Sequence, residues 1–259
     1  MKQTVTGHSL MLKFIFLFLL LFSSLVNAEE FNIQDIEFFT EENPPSNFVV
    51  NKQIIGIAPE LLHLIWEELG FSSTPNIRII PWARGYNYLQ NSNKVVLFST
   101  TRTPEREALG FKWAGPIKKN KIVLLARKDR NITINQLDDA KKYKIGTVYD
   151  DIGEHILLNS GFSKDNLHSV SSLDLSVRML NHDRIDLIAK GYENLLSLLE
   201  KEGNNINAYE AVFTLSERHQ YFAFNKDIPD KVVAQFQAAI DKLTDKHNAI
   251  LEKYNASNL

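Results

Sequence analysis

An arginine within a polar run is the residue in this chain with the clearest chemistry. Arg106 closes the stretch Phe98-Ser-Thr-Thr-Arg-Thr-Pro-Glu-Arg106, and its planar fork of donors pairs bidentately with a carboxylate. The other reading is a surface arginine paired with Glu105 or Glu107, an arrangement that contributes little in water. Aromatic side chains can wall such a site, and Trp82 and Phe48 are the candidates, with core packing as the alternative for each. Helical spacing puts Trp82 and Tyr86 on one side and turns Arg84 elsewhere. Other chemistries leave little trace. His63, His155, His168, His182, His219 and His247 show no metal-ligand spacing, and nucleophile-elbow and phosphate-loop patterns are absent, so neither a metal nor a cofactor is expected.

The elements that must position these residues alternate between short apolar strands and helical patterns, the sign of α/β layers with mostly parallel strands. A helix is predicted from Pro59 to Leu69, stopped by Gly70, with Leu61, Leu62, Ile65 and Leu69 as its apolar stripe. Strands are predicted at 77–80, 95–99, 122–126, 144–148, 185–189 and 221–224. The capping-box pattern Thr133-Ile-Asn-Gln136 predicts a short helix after Thr133. Leu173, Val177 and Leu180 mark a further helix, residues 193–201 another, and residues 231–254 two amphipathic ones.

Residues 1–28 read as a cleaved signal peptide. Lys2 and Lys13 precede the apolar run Phe14 to Phe22, and Val26-Asn-Ala28 is a cleavage site, so the mature chain is expected to begin at Glu29 in the periplasm. The remainder is long enough for two lobes with separate cores. The formal charge of the whole chain is −2, and loss of two leader lysines makes the mature chain more acidic, which argues against nucleic acid or an anionic membrane as partner. With no cysteine, stability rests on burial rather than disulfides.

From Phe38 to Tyr254 the order of elements resembles the family-3 extracellular solute-binding proteins, the amino-acid-type periplasmic binding proteins of ABC importers. The matching pieces are Asn43-Pro-Pro45, Gly56-Ile-Ala-Pro-Glu60, Pro81-Trp-Ala-Arg84, Thr103-Pro-Glu-Arg106, Lys144-Ile-Gly-Thr147, Asp183-Arg-Ile-Asp186 and Ala249-Ile-Leu-Glu-Lys-Tyr254. The resemblance implies two α/β lobes joined by two crossing strands, each lobe a mixed, mostly parallel sheet flanked by helices, with a ligand held between them. Carried onto this chain, the first lobe is expected at 29–116 plus 214–259 and the second at 117–213. Arg106 stands at the position of the family's carboxylate-binding arginine, and Ser99 and Thr101 match the positions that supply backbone and hydroxyl donors.

The chain departs from the family pattern at three places. Arg102 replaces a usually apolar residue. Asp150-Asp-Ile152 stands where many relatives have a Gly-Thr-Thr-like turn, and two aspartates before a helix either cap it or face the ligand. Gly191 replaces the aspartate that holds an α-ammonium, with Glu193 nearby as a substitute. The resemblance therefore implies a monomeric, non-enzymatic binder of a small polar, amino-acid-like or zwitterionic solute, serving an ABC permease. A sensory accessory protein and a dehydratase-like enzyme on the same scaffold are the alternatives. The expected ligand-binding set is Arg106, Thr101, Ser99, Trp82, Phe48, Asp150, Asp151 and Glu193.

Overall fold

The computed structural model describes residues 31–254. Every element below belongs to one compact unit, which begins at Gln34. The expected signal peptide and its cleavage site lie outside the described residues. Among the described residues no helix is long and apolar enough to cross a membrane.

Among the described residues ten strands and eight α-helices follow in the order β1 (Glu37–Thr40), β2 (Phe48–Val50), β3 (Gln53–Ile55), α1 (Ile57–Glu68), β4 (Asn76–Ile79), α2 (Trp82–Asn91), β5 (Val95–Thr101), α3 (Pro104–Ala108), β6 (Lys112–Arg127), β7 (Ile145–Val148), α4 (Ile152–Asn159), β8 (Leu167–Val170), α5 (Leu173–Asn181), β9 (Leu187–Gly191), α6 (Tyr192–Lys201), β10 (Tyr209–Phe224), α7 (Asp230–Lys242) and α8 (Thr244–Lys253). Eight strands form one sheet in the order β4-β1-β5-β10-β6-β9-β7-β8, while β2 and β3 make a separate hairpin. The outer strands pair in parallel, β4-β1-β5 at one end and β9-β7-β8 at the other. Two 16-residue strands, β6 and β10, run antiparallel along each other and join the two ends. The β6 strand meets β9 only through Ile122 to Leu125, and β10 meets β5 only near its C-terminal end, from Gln220 to Phe224. This is the two-lobed architecture with two crossing strands.

Apolar patterning accounts for the element types. The seven residues of β5 and all five of β9 are buried, as strands covered on both faces must be. The stripe of α1 packs inward through Leu61, Leu62 and Ile65, each fully buried. That helix starts at Ile57, two residues before the expected Pro59. At its N-cap Gly56 has φ 123°, and a Cβ there would stand 2.6 Å from the Ser46 carbonyl oxygen. The close approach pins the loop from Glu41 to Asn47 against the helix start, where Ile57 and Ala58 donate their amides to Pro45 and Ser46.

Three expectations are corrected. No helix starts after Thr133; a 3-10 turn runs over Leu137–Lys142 instead, and the reciprocal cap is made by Gln136 and Asp139. The strand expected at 221–224 is only the end of β10, whose earlier half, Tyr209–Ser216, carries Val212, Phe213 and Leu215 but no fully buried residue. Nor do the lobes keep separate cores. One cluster runs from Phe39, Trp82, Tyr86 and Leu97 on the first lobe to Val148, Leu173, Leu195 and Leu198 on the second, because apolar residues flank the cleft on both sides and meet. A second cluster, including Ile145, Leu157, Phe162 and Leu187, belongs to the second lobe.

Candidate functional site

Arg106 reaches the cleft because of how its short helix begins. Thr103 caps α3 by accepting the Arg106 amide at 3.3 Å, and Pro104 occupies the first turn, where its missing N–H costs nothing. The side chain then folds back under the end of β5 and is 1% exposed. Its guanidinium donates to the Thr101 carbonyl at 2.9 Å and, across the cleft, to the Asp150 carbonyl at 3.3 Å. Trp82 and Tyr86, one helical turn apart on α2, stack at 6.1 Å, and the guanidinium lies 5.3 and 5.2 Å from their ring centroids. The Arg106 Nε is buried without a hydrogen-bond partner. A buried arginine bonded to two neutral carbonyls, with a donor to spare, is a site poised for an anionic acceptor.

Facing Arg106 is a buried charge cluster. Lys190, in the strand Leu-Ile-Ala-Lys-Gly191, donates to Glu41 at 2.7 Å and Asp151 at 2.8 Å. The three side chains are 4%, 9% and 8% exposed. Glu41 follows β1 in the first lobe, so its bond to Lys190 spans the cleft. Burial opposes charge on Lys190, but the two carboxylates outweigh it and raise its pKa above the ordinary lysine value. Burial likewise works against ionisation of Asp151, yet Lys190 and then Arg106 outweigh it and hold its carboxyl below the usual aspartate value. Burial pushes the Glu41 carboxyl up, and Lys190 opposes this without overcoming it.

Around the cluster lies a cavity of about 10 Å3 lined by Asn43, Ser99, Thr101, Asn120, Asn194 and Gln220 as well as Trp82, Glu41, Asp151 and Lys190, with Arg106 behind Thr101 and Trp82 rather than in its lining. Space for about one water means that a solute enters only when the walls part. More polar bonds cross the cleft here: the Asn194 amide donates to the carbonyls of Asn43 and Pro44, and the Trp82 indole to the Asp150 carbonyl at 2.9 Å. A larger groove of about 560 Å3 shares Glu41 and continues past Ile79, Ile80, Leu173 and Leu198 to the Lys201–Glu42 ion pair. The greater volume is thus in the apolar groove, while the charged chemistry is in the tight cavity.

Of the expected residues, Arg106, Thr101, Ser99, Trp82 and Asp151 come together. Asp151 occupies the N-cap of α4 but makes no side-chain cap bond, its carboxylate going to Lys190 instead. Asp150 contributes its carbonyl, while its side chain is 56% exposed and lies 4.0 Å from His155. Glu154 holds that turn by accepting the Asp150 amide at 2.7 Å. Phe48 lies outside the group: on the β2–β3 hairpin, it packs edge-on against Tyr254 at 6.2 Å. Glu193 bonds the buried Lys118 on the crossing strand β6, at the opening of α6, and is not among the residues lining the tight cavity. Arg102 leans outward between Trp113 and Tyr221 and pairs with Glu107 at 2.5 Å. Arg84 is exposed, as its helical position predicts.

Glu41, Lys190, Asn120, Asn194 and Gln220 were not legible as site residues. A lysine inside an otherwise apolar strand was the one signal for Lys190. Gly191, where the resemblance implies an aspartate, has no room for a side chain, because a Cβ there would meet Asn194 Oδ1 at 2.4 Å and Asn120 Oδ1 at 2.7 Å.

The sequence profile of the bacterial extracellular solute-binding proteins, family 3, matches residues 36–257. No curated protein sequence matches the chain. Among solved structures, a histidine kinase sensor domain with similarity to periplasmic binding proteins superposes with a TM-score of 0.75 at 19% identity, over 85% of this chain and 95% of that one. The arginine-, lysine-, histidine-binding protein ArtJ from Geobacillus stearothermophilus gives 0.74 at 15% identity, over 85% and 94%. A mutant arginine-binding protein of T. maritima gives 0.74 at 16%, over 85% and 94%. At these identities the likeness is one of fold.

Proposed function

Because the chain belongs to the family-3 extracellular solute-binding proteins, we propose that it captures a small polar solute with a carboxylate in the cleft between its lobes and delivers it to an ABC importer in the periplasm. The observation that carries this reading is Arg106, fully buried, stacked on Trp82 and Tyr86, bonded only to carbonyls and holding one donor unpaired. Ser99, Thr101, Trp82 and Asp151 supply the remaining wall. In this reading the first lobe is 29–116 plus 214–259 and the second is 117–213. Capture follows from opening and closing about those strands, with closure driven by contacts that a ligand completes only when both walls meet it. The protein works as a monomer, exported by a leader cleaved after Ala28.

The test is to denature protein purified from its native cell, identify the released small molecules by mass spectrometry, and add them back. A true ligand raises the thermal midpoint by mass action and compacts the particle in small-angle scattering. A released carboxylate that does neither refutes the reading. The sensor alternative is supported by the histidine kinase sensor domain among the similar structures. Loss of solute uptake on gene deletion favours the importer, and loss of a transcriptional response favours the sensor. Turnover of a bound acid to a new product would instead favour the enzyme.

A further inference from the structure

The position that would hold a ligand's amino group is already taken by the chain itself. In the tight cavity the two acids that line it, Glu41 and Asp151, are bridged by the Lys190 ammonium at 2.7 and 2.8 Å. The aspartate that the family resemblance expects at 191 is a glycine, and the space for it is occupied by the amides of Asn194 and Asn120. Glu193, the substitute suggested by sequence, bonds Lys118, and Glu154 is taken up by the Asp150 amide. Each of these acids therefore has a partner within the chain. Arg106, by contrast, has only carbonyl partners and an unpaired Nε.

We propose that Lys190 is the cleft's own ammonium, bridging Glu41 and Asp151 where a ligand's amino group would bind, so that the protein selects carboxylates carrying no α-ammonium group. The inference rests on Arg106 being the carboxylate anchor. A free α-ammonium entering beside Lys190 meets a like charge in a desolvated site and must compete with a tethered cation for the same two acids. A hydroxyl, keto or hydrogen substituent at that carbon meets no such opposition, and the hydroxyl or keto group can bond Asn120, Asn194 or Gln220.

Calorimetric titration with matched probes tests this: L-α-amino acids against the 2-hydroxy, 2-keto and unsubstituted acids bearing the same side chain. In the wild type the amine-free member of a binding pair should bind at least about tenfold tighter. Lys190→Arg should keep that preference, and Lys190→Met should reduce it below about threefold or reverse it. If Lys190→Met does not fold, its combination with Glu41→Gln removes one acid together with the ammonium, and the same loss of preference is expected. Tighter binding of the α-amino acids by the wild type overturns the inference while leaving the carboxylate site standing, as does a preference unchanged in the methionine variants. Binding of the acids with equal strength by wild type and Arg106→Ala, or by neither, overturns the anchor and this inference together.

Discussion

Replacing Lys190 with methionine should be among the most damaging single substitutions in the chain, and for an electrostatic reason. Methionine fills most of the volume of the lysine stem, so packing is largely kept and the loss is that of the ammonium. Glu41 and Asp151 are then left within reach of one another, 9% and 8% exposed, without the bonds at 2.7 and 2.8 Å that now satisfy them. Removing one partner of a buried ion pair costs about 3–5 kcal/mol, because a charge is stranded out of water. For a domain of this size that is a fall of roughly 6–20 °C in thermal midpoint. Urea unfolding followed by tryptophan fluorescence at pH 7.5, compared with pH 5.5, measures it. In the variant the two carboxyls hold protons in the folded state that the unfolded chain has released, so stability should rise as pH falls from 7.5 and part of the deficit should return. Adding Glu41→Gln and Asp151→Asn to Lys190→Met removes the stranded charges and should restore most of the stability. A single-variant loss below about 1 kcal/mol, or a triple variant as unstable as the single one, would refute the reasoning.

Arg106→Ala should leave the fold intact yet weaken binding of a carboxylate ligand by about 2–5 kcal/mol, since a charge-assisted pair in a desolvated site is lost; calorimetry with the released ligand reads it, and an unchanged affinity removes Arg106 from the site. His155 has its pKa pressed below the ordinary 6.5, first by burial and then by Arg106. As pH falls through 6.5 the unfolded chain takes up a proton that the folded chain resists, so stability is lost on acidification. Thermal midpoints of wild type and His155→Gln between pH 8 and 5 should accordingly diverge in favour of the variant as pH falls. Gly56→Ala should cost about 1–3 kcal/mol from φ 123° alone, and the Ser46 carbonyl 2.6 Å from the new Cβ should loosen the loop that carries Glu41, read as a lower midpoint.

Much of the architecture follows from patterns that depend only on neighbours along the chain. Apolar period and turn residues are local, so the stripes of α1 and α5, the paired helices at the end and the strand feeding Arg106 are readable without a fold, as is the placement of Trp82 with Tyr86 and of Arg84 away from them. What the sequence could not determine was decided by pairing across long separations. The first half of β10 has no fully buried residue and pairs along β6. Phe48 follows the Pro-Pro pair like a wall residue, but the hairpin turns it onto Tyr254. Asp150 and Asp151 are equivalent on paper; φ 59° at Asp150 sends one carboxylate to solvent and leaves the other facing Lys190. Glu41, Asp151 and Lys190 are spread over 149 residues, and only folding removes water from around them. The chain alone could thus name the arginine proposed to read an anion, because that chemistry belongs to one side chain. The charge it would meet across the cleft belongs to three, and desolvation, which sets their strength, exists only once both lobes are in place.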